Sequence, residues 1–498
     1  MNAAGVRPRF PTLYQLNPRI AIGEARGSGQ GTLDAAPDGT LDDLPDALLE
    51  RTDAQGFDWI WPLGVWQTGT AGPLATRSPA DLDGFRIDLP DVRAEDVCGS
   101  PFAITAYDVH RDFGGDAALA RLRGRLARRG QRLLLDFIPN HVALDHPWVQ
   151  THPEFFIAGG PEDLRRDPGS YVALPSAGGE RIFAHGRDPY FPAWKDTLQL
   201  NYRHAGLRAA MTAELERVAD RCDGVRCDMA MLLEPEVIAR AWGDRANPTD
   251  GSAPVDGPFW PAAIARVRQR QPGFLFVAEV YWDLEWQLQQ AGFDFTYDKR
   301  LYDRLRAGQA GPGRDHLAAD PAFRDRSLRF LENHDEPRAA SVFPPARHRA
   351  AAVLAFLSPG GRLFHDGQLE GRRAHASIHL ARRQVEPVDE ALRGFYDRLL
   401  ACLRRPEVAD PDARWQLLPT DGALIVSTWE ATAGQLLVAV NFGPDPARCD
   451  LPLARPAPGA SELRLVDRLS DDPAVARAAN GTSTLELPAW GARVLQVR

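Results

Sequence analysis

The stretch Arg132-Leu133-Leu134-Leu135-Asp136-Phe137-Ile138-Pro139-Asn140-His141 decides how this chain is read. Its apolar run is continuous rather than alternating, the pattern of a strand buried on both faces. A helix pattern precedes it. Leu119, Leu122 and Leu126 form one stripe over residues 117–129, with Asp116 as the expected N-cap and Gly130 as the stop. A buried strand behind an amphipathic helix is one unit of a parallel α/β sheet, and this strand ends in a carboxylate.

The same unit recurs along the chain. Further apolar runs lie at 13–17, 57–63, 224–226, 274–278, 293–297, 328–331 and 362–364, which makes eight with 133–137. A second helix pattern covers 207–221, where Leu207, Met211, Leu215 and Val218 share a face. Alternating strands and helices with right-handed crossovers give a doubly wound sheet or a barrel, and eight strands favour a (β/α)8 TIM barrel. Two regions break the rhythm. Residues 142–203 hold Pro, Gly, His and aromatics without a period and read as a domain inserted after the third strand. From 410 to 498 the pattern becomes all-β, with strands expected at 423–429, 435–441, 462–466, 484–487 and 493–497. Turns are expected at Thr420-Asp421-Gly422 and Asn480-Gly481. The expected architecture is a barrel formed by 1–141 and 204–405, the inserted domain at 142–203, and a C-terminal β-sandwich at 410–498.

Composition narrows the function classes. The 498 residues carry 67 acidic against 58 basic side chains, a net charge of −9, which argues against a general nucleic-acid binder. No run of 18 apolar residues occurs, so no membrane span is expected. No apolar signal core opens the sequence, so a cytoplasmic protein is expected. Only Lys195 and Lys299 are lysines, and arginine carries the positive charge. The five cysteines, Cys98, Cys222, Cys227, Cys402 and Cys449, form no CxxC pair and suggest neither a zinc ribbon nor a disulfide framework. Oligomeric state is not legible.

Several strands end in acids: Asp136, Asp228, Glu279 and, from the run before it, Asp335. In a barrel the C-terminal strand ends point to one face, so acids 92, 51 and 56 residues apart in sequence converge. Arg226 lies two before Asp228, on the same side of its strand, and a guanidinium there keeps a carboxylate ionised and oriented. That suits a nucleophile. Glu279 follows the wholly apolar Phe274–Ala278, and desolvation raises a glutamate's pKa, which suits a proton donor. One ionised and one protonated carboxyl group are what double-displacement glycoside hydrolysis requires. A scaffold ion pair for Arg226–Asp228 and a helix-capping role for Glu279 are the structural alternatives. A metal-dependent barrel hydrolase is a further one, though HxH and HExxH patterns are absent.

These segments resemble the α-amylase family, glycoside hydrolase family 13. Residues 136–141 (DFIPNH), 224–230 (GVRCDMA), 277–282 (VAEVYW) and 330–335 (FLENHD) are similar to its four motifs and occur in their order. The resemblance spans about residues 10–498. It implies Asp228 as the nucleophile, Glu279 as the acid/base and Asp335 as the transition-state stabiliser. It further implies that Arg226 orients Asp228, that His141 and His334 bond the same sugar ring, that Asp136 and Asn140 support the barrel mouth, and that Arg338 supports the site. Residues 100–107 (SPFAITAY) resemble the stretch that supplies a stacking aromatic. Phe102 stands there, followed by Tyr107, with Ala106 where an Asp is usual. Trp61, Trp66, Tyr190, Phe191, Trp194, Tyr281 and Trp282 are candidate cleft aromatics. The implied substrate is an α-linked glucoside or α-glucan, with no nucleic-acid or membrane partner. No cofactor is required. Calcium is a candidate ion, because Asn140 matches one of the family's ligands.

The chain also departs from the family pattern. Met231 and Leu232 replace a Lys-His pair that serves the acceptor side in starch-degrading members, and residues 364–370 match the last barrel turn only loosely. Hydrolysis is the expected outcome. Transglycosylation or phosphorolysis through the same intermediate is the alternative, and a non-catalytic sugar-binding or partner subunit the remote one.

Overall fold

A computed structural model describes residues 8–27, 39–176, 178–452, 463–470, 477–478 and 482–497. Eight parallel strands close into a barrel: β1 (Thr12–Leu16), β2 (Trp59–Pro62), β3 (Arg132–Phe137), β4 (Gly224–Cys227), β5 (Leu275–Ala278), β6 (Phe295–Tyr297), β7 (Ser327–Arg329) and β8 (Gly361–His365). All eight fall on the apolar runs of the sequence. Each strand pairs with its sequence neighbour, and β8 returns to β1 with Tyr14 opposite Phe364. Because both faces of each strand are covered, alternation never appears in the sequence.

The helix before β3 runs Gly115–Ala127, and its cap differs from the expected one. Gly114, at φ 82, ends the preceding turn and takes the cap position. Asp116 sits inside the first turn, accepts the Val109 N–H at 3.3 Å and pairs with Arg221 at 2.8 Å. A carboxylate is favourable there because the helix N-terminus is positive. The second helix runs Ala205–Arg221 and is capped by His204, whose Nδ1 accepts the Leu207 N–H.

Short sheets stand on the C-terminal mouth of the barrel. Trp66–Thr68 pairs with Ile104–Val109 after β2, a sheet the eight-strand reading did not include. After β3, His141–Ala143 pairs antiparallel with Thr197–Gln199, and Tyr171–Ser176 forms a hairpin with Gly179–Ala184. Beyond the barrel, Arg414–Leu418, Leu424–Ala431, Gly434–Asn441, Ala492–Val497, Leu463–Asp467 and Arg477–Ala478 form one antiparallel sheet, and Ala447–Pro452 pairs with Thr482–Leu487. The strands at 414–418, 447–452 and 477–478 were not anticipated. The first of them alternates without a continuous apolar run. The turn expected at Asn480-Gly481 lies outside the described residues. The sheet is tied to the barrel by Trp429, fully buried, whose indole N–H donates to the Leu357 carbonyl at 2.7 Å. No described helix is long and apolar enough to cross a membrane.

Candidate active site

Strand register builds the centre. In the β3–β4 ladder Arg226 lies opposite Asp136, so both project into the barrel at one level. Asp228 and Glu279 each stand one residue past the last paired residue of β4 and β5, where Cys227 meets Ala278. Arg226 is therefore surrounded by acids. Its Nη1 is 2.5 Å from Asp228 Oδ1 and 3.8 Å from Asp136 Oδ1, and its Nη2 is 2.8 Å from Glu279 Oε2. The Tyr297 hydroxyl accepts from Nε at 3.4 Å. Trp61, Phe102 and Tyr297 rings enclose the guanidinium at 5.4–5.8 Å, which excludes water and strengthens each ion contact.

Asp136 lies beneath this layer, fully buried. Its Oδ2 accepts the Gly64 N–H at 2.8 Å and its carbonyl accepts the Trp66 indole N–H at 2.7 Å. Gly64 has φ 63, and a Cβ there would overlap the Pro101 ring, so glycine is required for that contact. Burial pushes the Asp136 carboxyl up to about 6 against the pull of Arg226.

Glu279 is pushed up to about 8. Burial is the main cause, Arg226 opposes it, and the Asp228 charge adds to it. Its two oxygens are not equivalent. Oε2 forms the ion pair with Arg226 and accepts the Met229 N–H at 2.7 Å. Met229 holds the left-handed conformation, φ 43, which turns that N–H toward Glu279 at a cost in backbone strain. Among the described residues Oε1 meets only the Tyr281 hydroxyl, which donates to it at 2.9 Å. The Arg226 charge and the Met229 N–H both stabilise negative charge on Oε2, which favours the acid proton on Oε1.

Asp335 comes from a turn past β7. The Asn333 side chain accepts the N–H groups of Asp335 and Glu336 at 2.9 and 2.8 Å and so presents the Asp335 carboxylate outward, 46% exposed. His334 is buried and neutral, its pKa driven well below the usual value by burial and then by Arg226. The Gln15 amide donates to its Nδ1 at 2.8 Å, which leaves the ring proton on Nε2, 3.3 Å from Asp335 Oδ2. Phe102 stacks on the His334 ring at 5.3 Å.

A cavity of about 360 Å3 opens over these groups. Phe102, His141, Asp228, Glu279, His334 and Asp335 line it, together with Trp194, Met229, Tyr281 and segments at 100, 196–197 and 378–379. Arg226 and Asp136 lie below its floor. Two of the expected contacts lie elsewhere. The Tyr107 hydroxyl donates to the Ile138 carbonyl and accepts the Ile138 N–H, both at 2.9 Å, and its ring stacks on Phe137. It fastens the end of β3 and does not line the cavity. Arg338 is buried against Glu332 at 2.7 Å and donates to the Asp366 carbonyl at 2.8 Å. It therefore acts on the loop after β7 rather than on a ligand. Of the candidate aromatics, Trp194 and Tyr281 line the cavity, Trp61 and Trp66 are fully buried, and Tyr190 and Phe191 are exposed. Met231 and Leu232 are buried in the core. Asp196, Thr197, Ile378 and His379 were missed in the sequence, because no strand end or motif marks them. Gln15 had a signal, a polar residue inside the apolar run of β1.

The surroundings of Asn140 do not fit a calcium ion. Its Oδ1 and its carbonyl both accept from the Gln199 amide, at 2.9 and 3.1 Å, so a neutral N–H donor occupies the oxygens a cation would need. Among the described residues no three His, Cys, Asp or Glu side chains converge as metal ligands.

A closed (β/α)8 barrel with a three-carboxylate centre at its C-terminal mouth is the class that fold and site define. No family model matches the chain. It is 26% identical over 391 residues to the α-amylase MalA of Haloarcula japonica, covering 74% of this chain and 52% of that protein. It is 24% identical over 374 residues to the palatinase of Erwinia rhapontici, covering 66% of this chain and 58% of that protein. The chain thus spans about half the length of these two relatives. The crystal structure of an α-amylase from Lactobacillus plantarum superposes with a TM-score of 0.67 at 20% identity, over 98% of this chain and 99% of that one. In sequence and in fold the chain is thus similar to members of the α-amylase family, glycoside hydrolase family 13.

Proposed function

We propose that the protein is a retaining α-glycoside hydrolase acting on α-linked glucosides or α-glucans. One observation carries the reading: a single buried guanidinium holds Asp228 at 2.5 Å and Glu279 at 2.8 Å. Two carboxyl groups gripped by one side chain are held near each other, which supports the short separation of retaining glycosidases over the wider one of inverting enzymes, which need room for a water between them. The names of the relatives, an α-amylase and a palatinase, support α-glucosides as the substrate class.

The chemistry follows from the hydrogen bonds. Arg226 occupies Asp228 Oδ1, so Oδ2 is the atom that attacks the anomeric carbon. Glu279 passes its Oε1 proton to the departing glycosidic oxygen. Asp335, beside His334, stabilises the positive charge that develops on the ring. Once Asp228 is esterified its charge is gone, and with it one of the three causes, burial and the charges of Asp228 and Asp335, that raise Glu279. Glu279 then falls toward the carboxylate form and takes a proton from the incoming water, releasing a product of retained configuration.

The test is incubation with maltose, maltotriose, maltodextrin, sucrose and trehalose, with and without phosphate, followed by chromatography and by proton NMR of the first product anomer. Glucose or short oligosaccharides released first as the α-anomer are expected. A β-anomer overturns the retaining mechanism. Longer products or sugar phosphates assign the intermediate to transfer rather than hydrolysis. A folded protein that turns over none of the panel overturns the enzymatic reading.

A further inference from the structure

We propose that Asp196 and His379 form a hydroxyl-binding clamp in the catalytic cavity that decides which α-glucoside is accepted, an inference that rests on the glycosidase reading above. The cavity contains a fourth carboxylate that the mechanism does not use. Asp196 is only 8% exposed, and its Oδ2 is shielded with no hydrogen-bond partner among the described residues. His379 Nδ1, in the wall of the same cavity, is likewise shielded and unpartnered. A buried polar atom left unpaired destabilises a fold, a charged one most, so two in one cavity point to a ligand that pairs them.

Both side chains are held in place. Asp196 precedes the strand Thr197–Gln199, and Thr197 is fixed by its N–H and hydroxyl, both donating to the Trp194 carbonyl. The His379 carbonyl accepts the Cys98 N–H at 2.8 Å, and its ring packs on Phe85. Next to it Leu380 is buried with Leu89, Val92 and Val97, and Arg382 grips Asp96 at 2.7 Å. One arm thus comes from the insertion after β3 and the other from the segment after β8. Asp196 lines the same cavity as His141 and His379, and its charge acts on both rings.

The pairing selects the ligand chemistry. A carboxylate only accepts, whereas a neutral imidazole can present an N–H. A sugar hydroxyl donates to one and accepts from the other, and neighbouring ring hydroxyls can engage both. An anionic ligand is repelled by Asp196 and the catalytic acids. A cationic one finds no use for the His379 N–H. A neutral hexose with its hydroxyls intact fits both arms.

The test is a coupling experiment with p-nitrophenyl α-glucoside and the set of its monodeoxy analogues, on wild type, Asp196→Asn and His379→Gln, with melting temperatures to confirm folding. In the wild type, one analogue should lose on the order of 10- to 100-fold in kcat/KM. Each variant should lose a similar factor on the parent glucoside and show little further loss on that same analogue. Penalties that multiply on every analogue, or variants that match wild type on the parent, overturn the clamp while leaving the glycosidase reading standing. A wild type inactive on the parent glucoside overturns both.

Discussion

Replacing Asp228 by asparagine keeps the side chain's shape and removes one negative charge beside Glu279. The Asp228 charge is one of the causes that raise the Glu279 pKa to about 8. Removing a like charge favours the ionised glutamate, so the pKa must fall. Arg226, freed of its bond to Asp228, acts in the same direction. Two charges about 5 Å apart, the separation of retaining carboxyl pairs, interact by roughly 3 kcal/mol at an effective dielectric of about 20. At about 1.36 kcal/mol per pKa unit that lowers the Glu279 pKa by about two in Asp228→Asn. The assay is carbon NMR of protein labelled at the glutamate carboxyl carbon. The Glu279 signal is identified by its loss in the Glu279→Gln variant of each background. A pKa unchanged or raised in Asp228→Asn would refute the reasoning, because the two carboxyl groups would then not sense each other. Glu279 would have no electrostatic means of changing from acid to base when Asp228 is esterified.

The unmodified enzyme should lose kcat/KM as pH rises through about 8, tenfold per unit beyond it, because Glu279 must hold its proton for the first step. A pH profile on an aryl α-glucoside with a poor leaving group checks this. Arg338→Met strands Glu332, which is fully buried against it, and should cost about 3–5 kcal/mol in denaturant unfolding. Adding Glu332→Leu should recover much of that loss. Chelator should leave both melting temperature and turnover unchanged, since the Gln199 amide already occupies the Asn140 oxygens; a drop restored by calcium would show that the ion binds elsewhere.

The legible part of the site is the part carried by strands. Asp136, Arg226, Asp228 and Glu279 each stand in or just beyond an unbroken apolar run, so parallel strand ends alone bring them to one mouth. Residues on long connections were poorly legible. Tyr107 was expected at the sugar, but its hydroxyl is consumed by the Ile138 backbone. Arg338 was expected to support the site, and its guanidinium is taken up by Glu332 and by the Asp366 and Ala374 carbonyls. Asp196 and His379 had no local signal, because a loop residue's neighbours are set by how the loop packs and not by any period in its sequence. The Asp116 cap failed for a local reason: Gly114, in the left-handed conformation, takes the cap position two residues earlier.

By itself, then, the sequence determines the barrel and the level of its acids, since burial on both faces leaves a one-dimensional trace in every strand. The tertiary structure alone decides what each acid experiences. One guanidinium divides its bonds between Asp228 and Glu279. The Arg226 charge and the Met229 N–H hold one Glu279 oxygen, and burial sets how tightly that residue keeps its proton. Apart from the Arg226–Asp228 bond, which strand spacing already implies, these are properties of distances between segments about 50 or more residues apart, and charge interactions in a dry cavity depend on those distances far more than on the order of residues along the chain.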